Sequence, residues 1–227
     1  MSDLAQIVEV TSEAELRELI GAPMPRAVTK ELTALHAHHR EWIEAAPFCL
    51  IATAGADGTC DVSPKGDPAG FTLVLDDTTL AIPDRPGNRR ADGFLNVLAN
   101  PHVGLLFIVP GREETVRVNG RARLVREAPF FDRMVVKGHR PTLALLVEID
   151  QVYFHCAKAF KRSRLWHADE WPDPTALASI PRIVKDIQKD APETLEELER
   201  YYGAEYETKL YTPAVRIPLP GGSPNAQ

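Results

Sequence analysis

Short apolar segments separated by turn residues recur between residues 48 and 156, and they predict a series of β-strands. These segments are rich in Val, Ile, Leu and Thr, which favour strands. The predicted strands are FCLIATA (48–54), CDVSP (60–64), GFTLVLD (70–76), TTLAIP (78–83), HVGLLFIVP (102–110), ETVRVNGRARLV (114–125) and TLALLVEIDQVYFHC (142–156). The Asp-Gly pair in GADGT (55–59) is typical of a hairpin between the first two. Because the links are short and few crossover helices intervene, the pattern predicts an antiparallel barrel rather than a parallel sheet.

Apolar residues at helical spacing predict helices before, between and after these strands. The predicted helices cover residues 12–20, with Ser12 as cap and Glu15 completing a capping box, then 29–45, 126–138, 174–190 and 193–208. Another helix is expected to begin at Asn88, since Ala91, Phe94, Leu95 and Leu98 recur at helical spacing after it. The last fifteen residues, 213–227, are rich in proline and glycine and are expected to form a tail.

These elements divide the chain into three predicted parts. Residues 1–45 are expected to form an N-terminal helical segment packed on the barrel. Residues 46–170 are expected to form the barrel domain, and residues 171–227 a C-terminal helical extension and tail.

Composition is ordinary for a globular protein, with 44% hydrophobic and 26% charged residues in 227. The net charge of −6 argues against nucleic acid as a partner, because such proteins usually carry a basic footprint. No apolar run reaches the length of a membrane helix, and no signal peptide is recognisable, so no membrane partner is expected. Three widely spaced cysteines suggest neither a disulfide framework nor a zinc site, and the chain is expected to be cytoplasmic.

A metal site is not predicted either. His36 and His39 lie three residues apart, whereas catalytic zinc motifs place two histidines four apart with a glutamate between them. An exposed polar helix face explains the cluster better.

Positive charge collects after several predicted strands of this acidic chain. In LAIPDRPGNRRADGFLNVL (80–98), Arg89 and Arg90 follow Asn88 and would occupy the first turn of a helix, where a cation costs about 0.3–1 kcal/mol. A phosphate bound there by backbone N–H groups and both guanidiniums would compensate that cost. Arginines that point into solvent would also account for the pattern. Lys65 in SPKGD and the basic run after residue 156 are further candidates, although a surface turn explains each of them alone.

Taken together, four segments carry a more specific signal. They are IATAGADGTCDVSPKGDPAGF, LAIPDRPGNRRADGFLNVLANPHVGLLFIVPG, ETVRVNGRARL and FHCAKAFKRSRLW. Over about residues 28–170 the chain resembles the pyridoxamine 5′-phosphate oxidase-like flavoproteins, in particular the branch with SPKGD and PDRPGNRR motifs. The resemblance implies a mainly β, α+β fold: an antiparallel split β-barrel that forms a homodimer and binds FMN at the subunit interface.

The resemblance also implies roles for individual residues. Near the FMN phosphate it places Lys65, Arg89 and Arg90, with Asn88 shaping the turn. Near the flavin ring or ribityl chain it places Ser63, Ile82, Pro83 and Asp84. From the region near the cleft, and from the other subunit, it would bring Lys158, Lys161, Arg162 and Trp166.

The expected function is that of an FMN-dependent oxidoreductase acting on an unidentified small molecule. The sequence patterns with which pyridoxamine 5′-phosphate oxidase binds pyridoxamine phosphate are not recognisable. Oxidation of pyridoxamine phosphate is therefore not predicted as the main activity. A non-catalytic protein that binds or stores flavin, deazaflavin or haem on the same barrel is the alternative. A flavin-free module holding another phosphate compound is a third. The sequence identifies no catalytic residue.

Overall fold

The computed structural model describes residues 6–212, and within them seven strands form one antiparallel sheet. The strands are β1 (Phe48–Ala54), β2 (Cys60–Gly66), β3 (Leu73–Val74), β4 (Thr79–Pro83), β5 (His102–Ile108), β6 (Thr115–Val125) and β7 (Ala144–His155). The predicted strands are therefore all present. GFTLVLD (70–76) contributes only β3, because Phe71 is already part of a turn in which its N–H donates to the carbonyl of Pro68.

α-Helices precede the strands, interrupt them once between β4 and β5, and follow them in the sequence. They are α1 (Glu13–Ile20), α2 (Pro25–Val28), α3 (Ala37–Ala45), α4 (Asp92–Ala99), α5 (Lys158–Ser163), α6 (Ile180–Ile187), α7 (Leu195–Tyr202) and α8 (Ala204–Thr208). Shorter 3₁₀ helices cover Pro129–Met134, Ala168–Glu170 and Pro174–Ala176.

The order of the strands shows how the sheet closes. It runs β2-β1-β5-β6-β7-β4-β3, so β2 forms one edge and β4 lies next to the other. Lys65 on β2 nevertheless contacts Asp84, the residue after β4, with 2.6 Å between Nζ and Oδ1. A sheet whose two ends meet in this way has curled into a barrel, and side chains rather than backbone hydrogen bonds span its seam. The predicted antiparallel split barrel is confirmed.

Alternating side chains of the strands fill the barrel. In β1 and β5, Cys49, Ile51, Leu105 and Phe107 are buried while their neighbours are more exposed. Ile43 of α3 joins the same core. Burial of each large apolar side chain stabilises the fold by about 1.5–3 kcal/mol, which makes the barrel wall a rigid support for the seam.

One irregularity interrupts the ladder between β6 and β7. The register shifts between Asn119 and Gly120, which marks a β-bulge. A side chain at Gly120 would collide with the backbone carbonyl of Glu148, so only glycine fits there. The Asn-Gly pair in this strand is therefore a bulge inside one long strand.

The predicted helix over residues 29–45 is wrong in its first half. Helix α3 begins at Ala37, because the His36 ring accepts a hydrogen bond from the N–H of His38 and caps the helix. Before it, Leu32 exchanges two backbone hydrogen bonds with Val152 of β7, at 2.8 and 3.0 Å. Tertiary pairing with the sheet has replaced the local helical preference.

Three other predicted helices are shorter than expected or divided. Residues 126–138 hold only the 3₁₀ helix that begins at Pro129, since Lys137 and Gly138 adopt positive φ and turn the chain. The predicted helix 174–190 divides into a 3₁₀ turn and α6, and 193–208 divides at Gly203 into α7 and α8. Helix α1 with its Ser12 cap is confirmed. The predicted tail, 213–227, lies outside the described residues.

Candidate functional site

A cavity of about 1040 Å³ lies at the seam of the barrel. Its wall is formed by β2, by the segment between β4 and α4, by the start of α4 and by residues 138–143. Seven of the predicted cofactor-binding residues line it, namely Ser63, Lys65, Pro83, Asp84, Asn88, Arg89 and Arg90. The structure thus brings together two motifs, SPKGD and PDRPGNRR, that are about twenty residues apart in sequence.

The segment 84–91, here called the arginine loop, has no regular secondary structure. Helix α4 begins only at Asp92, so the expectation that Asn88 caps it and that both arginines occupy its first turn is wrong. The physical reason is local. The Asn88 side chain accepts a hydrogen bond from the N–H of Arg90 at 3.0 Å, and Arg89 and Ala91 adopt left-handed φ values of 64° and 60°. A helix cannot contain such residues.

This geometry removes the conflict with the helix dipole. The first turn of α4 contains Asp92, an anion at the positive end of the helix. Asp92 accepts a hydrogen bond from Arg90 Nε at 2.7 Å, and that hydrogen bond raises the pKa of the Arg90 guanidinium. Left-handed conformations at two non-glycine residues cost about 1 kcal/mol or more each, and such strain is concentrated at functional sites. Turns of this kind also direct backbone N–H groups into anion-binding concavities.

Lys65 extends from β2 across the seam. Its ammonium group pairs with Asp84 and lies 4.7 Å from the centre of the Phe94 ring. Cys49 is the strand partner of Lys65 on β1, and burial raises the pKa of its thiol to about 12 despite the nearby cation. The backbone of Lys65 is therefore paired with a strand residue whose thiol is buried and protonated, and the ammonium group of Lys65 lies at the cavity.

A second ion pair spans the seam beside the first. Arg85 Nε donates to Asp67 Oδ2 at 2.5 Å, and Arg85 also donates to the carbonyl of Met134 at 2.8 Å. The Asp67 side chain is 1% exposed and that of Arg85 14%. The other carboxylate oxygen of Asp67 accepts a hydrogen bond from the hydroxyl of Tyr211, and this hydrogen bond raises the pKa of that phenol. These three residues were not predicted.

Two of these three residues, Asp67 and Arg85, could have been found from the sequence. Asp67 ends SPKGD and Arg85 lies inside PDRPGNRR, so each belongs to a motif that resemblance had already singled out. Tyr211 follows Asp67 by 144 positions, and no local pattern links them. Only the folded chain brings this tyrosine to the cavity.

The rest of the wall is apolar or neutral. Ile51, Phe71, Pro83, Val97 and Leu145 contribute apolar side chains to the lining. A planar organic ring would find van der Waals contacts on such a surface.

Hydroxyl and amide groups lie where α4 meets β1 and β2. Asn96 donates to Thr53 Oγ1 at 3.1 Å and to Asp61 Oδ2 at 2.8 Å. A Cβ at Gly93 would lie 3.4 Å from the hydroxyls of Thr53 and Ser63, so the start of the helix packs closely on β1 and β2. The contact holds the start of α4, and with it the end of the arginine loop, against the barrel.

Five predicted residues lie outside the lining of this cavity. Ile82 is a core residue of β4, 1% exposed, whose strand partner is Leu145. The other four follow β7: Lys158, Lys161 and Arg162 on α5, and Trp166 after it. Lys161 pairs with Glu113 at 3.0 Å, and Trp166 Nε1 donates to the carbonyl of Arg112 at 2.7 Å. We call residues 158–166 the post-β7 segment.

Two further properties concern residues 6–212. No helix in this range combines the length and apolar character needed to cross a bilayer. Within the same range, no three His, Cys, Asp or Glu side chains are grouped so that they could hold a metal ion.

Comparison with known proteins adds a family to this geometry. The family model described as pyridoxamine 5′-phosphate oxidase matches residues 35–156. Among curated proteins no match is found.

Several solved structures resemble the chain. HupZ from Group A Streptococcus is 16% identical, with a TM-score of 0.42, and the match covers 52% of this chain and 91% of that one. General Stress Protein 26 from Bacillus anthracis is 16% identical, with a TM-score of 0.35, covering 51% and 88%. An FMN-binding protein from Syntrophomonas wolfei is 11% identical, with a TM-score of 0.39, covering 63% and 96%.

Proposed function

We propose that this chain, which belongs to the pyridoxamine 5′-phosphate oxidase family, binds FMN in the seam cavity and acts as an FMN-dependent oxidoreductase on a small molecule. One observation carries the proposal: a single cavity joins the arginine loop and Lys65 to an apolar wall. A phosphorylated, planar cofactor requires both kinds of surface at once.

The size of the cavity fits a flavin mononucleotide. Ligand pockets usually enclose about 300–1,000 Å³, and the seam cavity of about 1040 Å³ reaches the upper end of that range. A cavity of this volume is large enough for a small-molecule ligand such as FMN.

The polar end of the cavity suits a phosphate dianion. Arg89 and Arg90 can donate in the planar, forked geometry that matches phosphate oxygens, and Lys65 adds a compact charge. Asn88 holds the turn from which both arginines project. The ion pair between Lys65 and Asp84 keeps the lysine at the cavity. We assign phosphate binding to these side chains and to the backbone N–H groups of the loop.

The apolar part of the lining would hold the ring system. Ile51, Phe71 and Val97 would contact the ring and exclude water from it, while Ser63 and the backbone around Pro83 and Asp84 could donate or accept hydrogen bonds at its polar edge. The bound flavin supplies hydride or single-electron transfer, and the protein supplies binding, orientation and electrostatics.

We further propose a homodimer with one cofactor site at each side of the interface. The post-β7 segment contains four cations, Lys158, Lys161, Arg162 and Arg164, and a tryptophan, yet it lies outside the lining of the cavity in its own protomer. The phosphate of a cofactor bound in the cavity of one protomer would attract the cations of this segment if the segment of the other protomer faced that cavity. Lys158, Lys161, Arg162 and Trp166 are proposed to reach the cofactor in this way.

The visible absorption spectrum of the purified protein tests the cofactor. Oxidised flavin bands that remain with the protein after unbound FMN is removed would support the proposal. A protein that stays colourless after incubation with FMN would contradict it. Gel filtration with light scattering of the same sample tests the dimer, which a monomeric mass for the flavin-loaded protein would exclude.

Turnover needs a separate measurement. Bleaching of the flavin bands by a nicotinamide donor, followed by reoxidation with a small-molecule acceptor over many cycles, would support an oxidoreductase. Bound flavin that no nicotinamide or deazaflavin donor reduces would favour a binding or storage protein.

A further inference from the structure

Among the described residues of the C-terminal extension, 171–212, one side chain belongs to the lining of the seam cavity. Tyr211 follows α8, well beyond the residues that match the family, and it is part of the cavity lining. Most residues from 171 to 212 are exposed, and the buried residues of α6 and α7 are Pro181 and Leu198. Tyr211 therefore marks one place where the extension contacts the barrel.

The tyrosine is held on several sides. Its hydroxyl donates to the buried carboxylate of Asp67. Its ring stacks on His139, with 5.8 Å between centroids and 19° between planes, and the guanidinium of Arg85 lies 5.6 Å from the ring centre. A side chain engaged at both its ring and its hydroxyl has a defined position.

These contacts lead directly to the arginine loop. Asp67 has two oxygens, of which one accepts from Tyr211 and the other from Arg85. Arg85 belongs to the arginine loop and precedes Arg89 by four residues. The loop lacks regular secondary structure, so its conformation depends on side-chain anchors of this kind.

We propose that Tyr211 and Asp67 are positioning residues for the phosphate of the cofactor: they hold Arg85, and through it the arginine loop that binds the phosphate. The inference rests on the proposed function. It gives the C-terminal extension a role in cofactor affinity, although Tyr211 does not bind the phosphate itself. The coupling is reciprocal, so phosphate binding also stabilises the docked position of the extension.

Riboflavin provides a probe that separates positioning from general damage, because it carries the flavin ring without the phosphate. The test measures the dissociation constants of FMN and riboflavin for the full-length protein and for Tyr211→Phe, which keeps the ring and loses the hydroxyl. We expect FMN affinity to fall about fivefold while riboflavin affinity stays unchanged. Asp67→Asn, which weakens both contacts of the carboxylate, should lower FMN affinity about tenfold or more with the same selectivity.

Tyr206→Phe is the matched control, since Tyr206 lies on the same extension and outside the cavity lining. It should leave both affinities unchanged. If Tyr211→Phe weakens the binding of FMN and of riboflavin equally, or changes neither affinity, the positioning role is wrong while the proposed function stands. If the unmodified protein binds no FMN, the proposed function fails and this inference fails with it.

Discussion

The arginine loop and the post-β7 segment look alike in sequence and differ in the fold. Each is a short basic run that follows a strand, and each was predicted to contact the cofactor. The arginine loop lines a cavity and is anchored by an ion pair whose carboxylate is 1% exposed. The post-β7 segment begins with a short helix, and Lys161 forms its pair with Glu113 while remaining 64% exposed.

The comparison teaches that basic residues form a site only where the fold supplies partners and removes water. The Asp67 carboxylate is almost fully buried and pairs with an Arg85 side chain that is mostly buried, so the ion pair holds the arginine loop against the barrel. Lys161 and Glu113 are screened by water and contribute little to stability. The post-β7 segment needs a surface outside its own protomer to become a comparable site.

The largest effect on stability is expected when the buried ion pair between Asp67 and Arg85 is broken. Asp67→Ala leaves the Arg85 charge without its carboxylate and should lower the free energy of unfolding by about 3 kcal/mol or more. Chemical denaturation followed by tryptophan fluorescence measures the change. Glu113→Ala is the counterpart in the other region and should cost at most about 1 kcal/mol. Equal losses for the two variants would remove the distinction between the regions.

A smaller effect is expected on cofactor binding. Arg89→Ala removes a charge-assisted contact to phosphate and should weaken FMN binding by about 1.5–3 kcal/mol. Fluorescence titration of FMN gives the dissociation constant. Arg26→Ala, a change at an exposed arginine of α2, serves as control and should bind FMN normally. Unchanged affinity in the Arg89 variant would exclude the loop as the phosphate site.

The post-β7 segment should contribute less to the same titration. Lys161→Ala is expected to weaken FMN binding by about 0.5–1 kcal/mol, because an exposed lysine from the partner subunit would act through solvent-screened attraction. Lys189→Ala, another exposed lysine, is the control. If Lys161→Ala leaves FMN binding unchanged, the proposal that this lysine reaches the cofactor is wrong.

The smallest expected effect is on the pH dependence of stability, through two histidines near the end of β7. Burial lowers the pKa of His39, which packs on Phe154, and burial with the nearby Lys30 and Arg117 charges lowers the pKa of His155. The unfolded chain takes up these protons near the ordinary value of about 6.5. Stability from the two neutral rings is therefore complete above that pH and falls as the pH drops toward the lowered values.

Denaturation midpoints at about pH 8 and about pH 5.5 measure this dependence. His39→Gln should reduce the difference between the two midpoints, because the neutral amide does not titrate. A variant with the full pH dependence of the original protein would show that His39 does not contribute.

Prediction from sequence was most reliable where the pattern was local. β1 has the predicted bounds, and the bounds of five other strands lie within a few residues of the predicted ones. These strands could be predicted because alternating burial requires apolar residues at regular positions in the sequence. Helices were predicted less well. The start of α3 depends on a pairing between Leu32 and Val152, and the start of α4 on left-handed residues at 89 and 91, and neither is visible in periodicity.

The candidate site shows the same division. Lys65, Arg89 and Arg90 could be named from motifs, since charged residues at strand ends are a sequence feature. Their grouping in one cavity follows from the closure of the barrel, which joins β2 to the segment after β4. Asp67, Arg85 and Tyr211 acquire their importance only through contacts between distant segments.

The sequence by itself thus determined an antiparallel barrel, the family to which it belongs and the principal cations at the proposed phosphate site. These depend on hydrophobic alternation, turn residues and short motifs, all of which act over a few residues. Tertiary structure alone decided which basic run lines the cavity, where α4 begins and how the C-terminal extension reaches the arginine loop. Those outcomes depend on burial and on pairing between residues far apart in the chain, where desolvation makes each contact strong and specific.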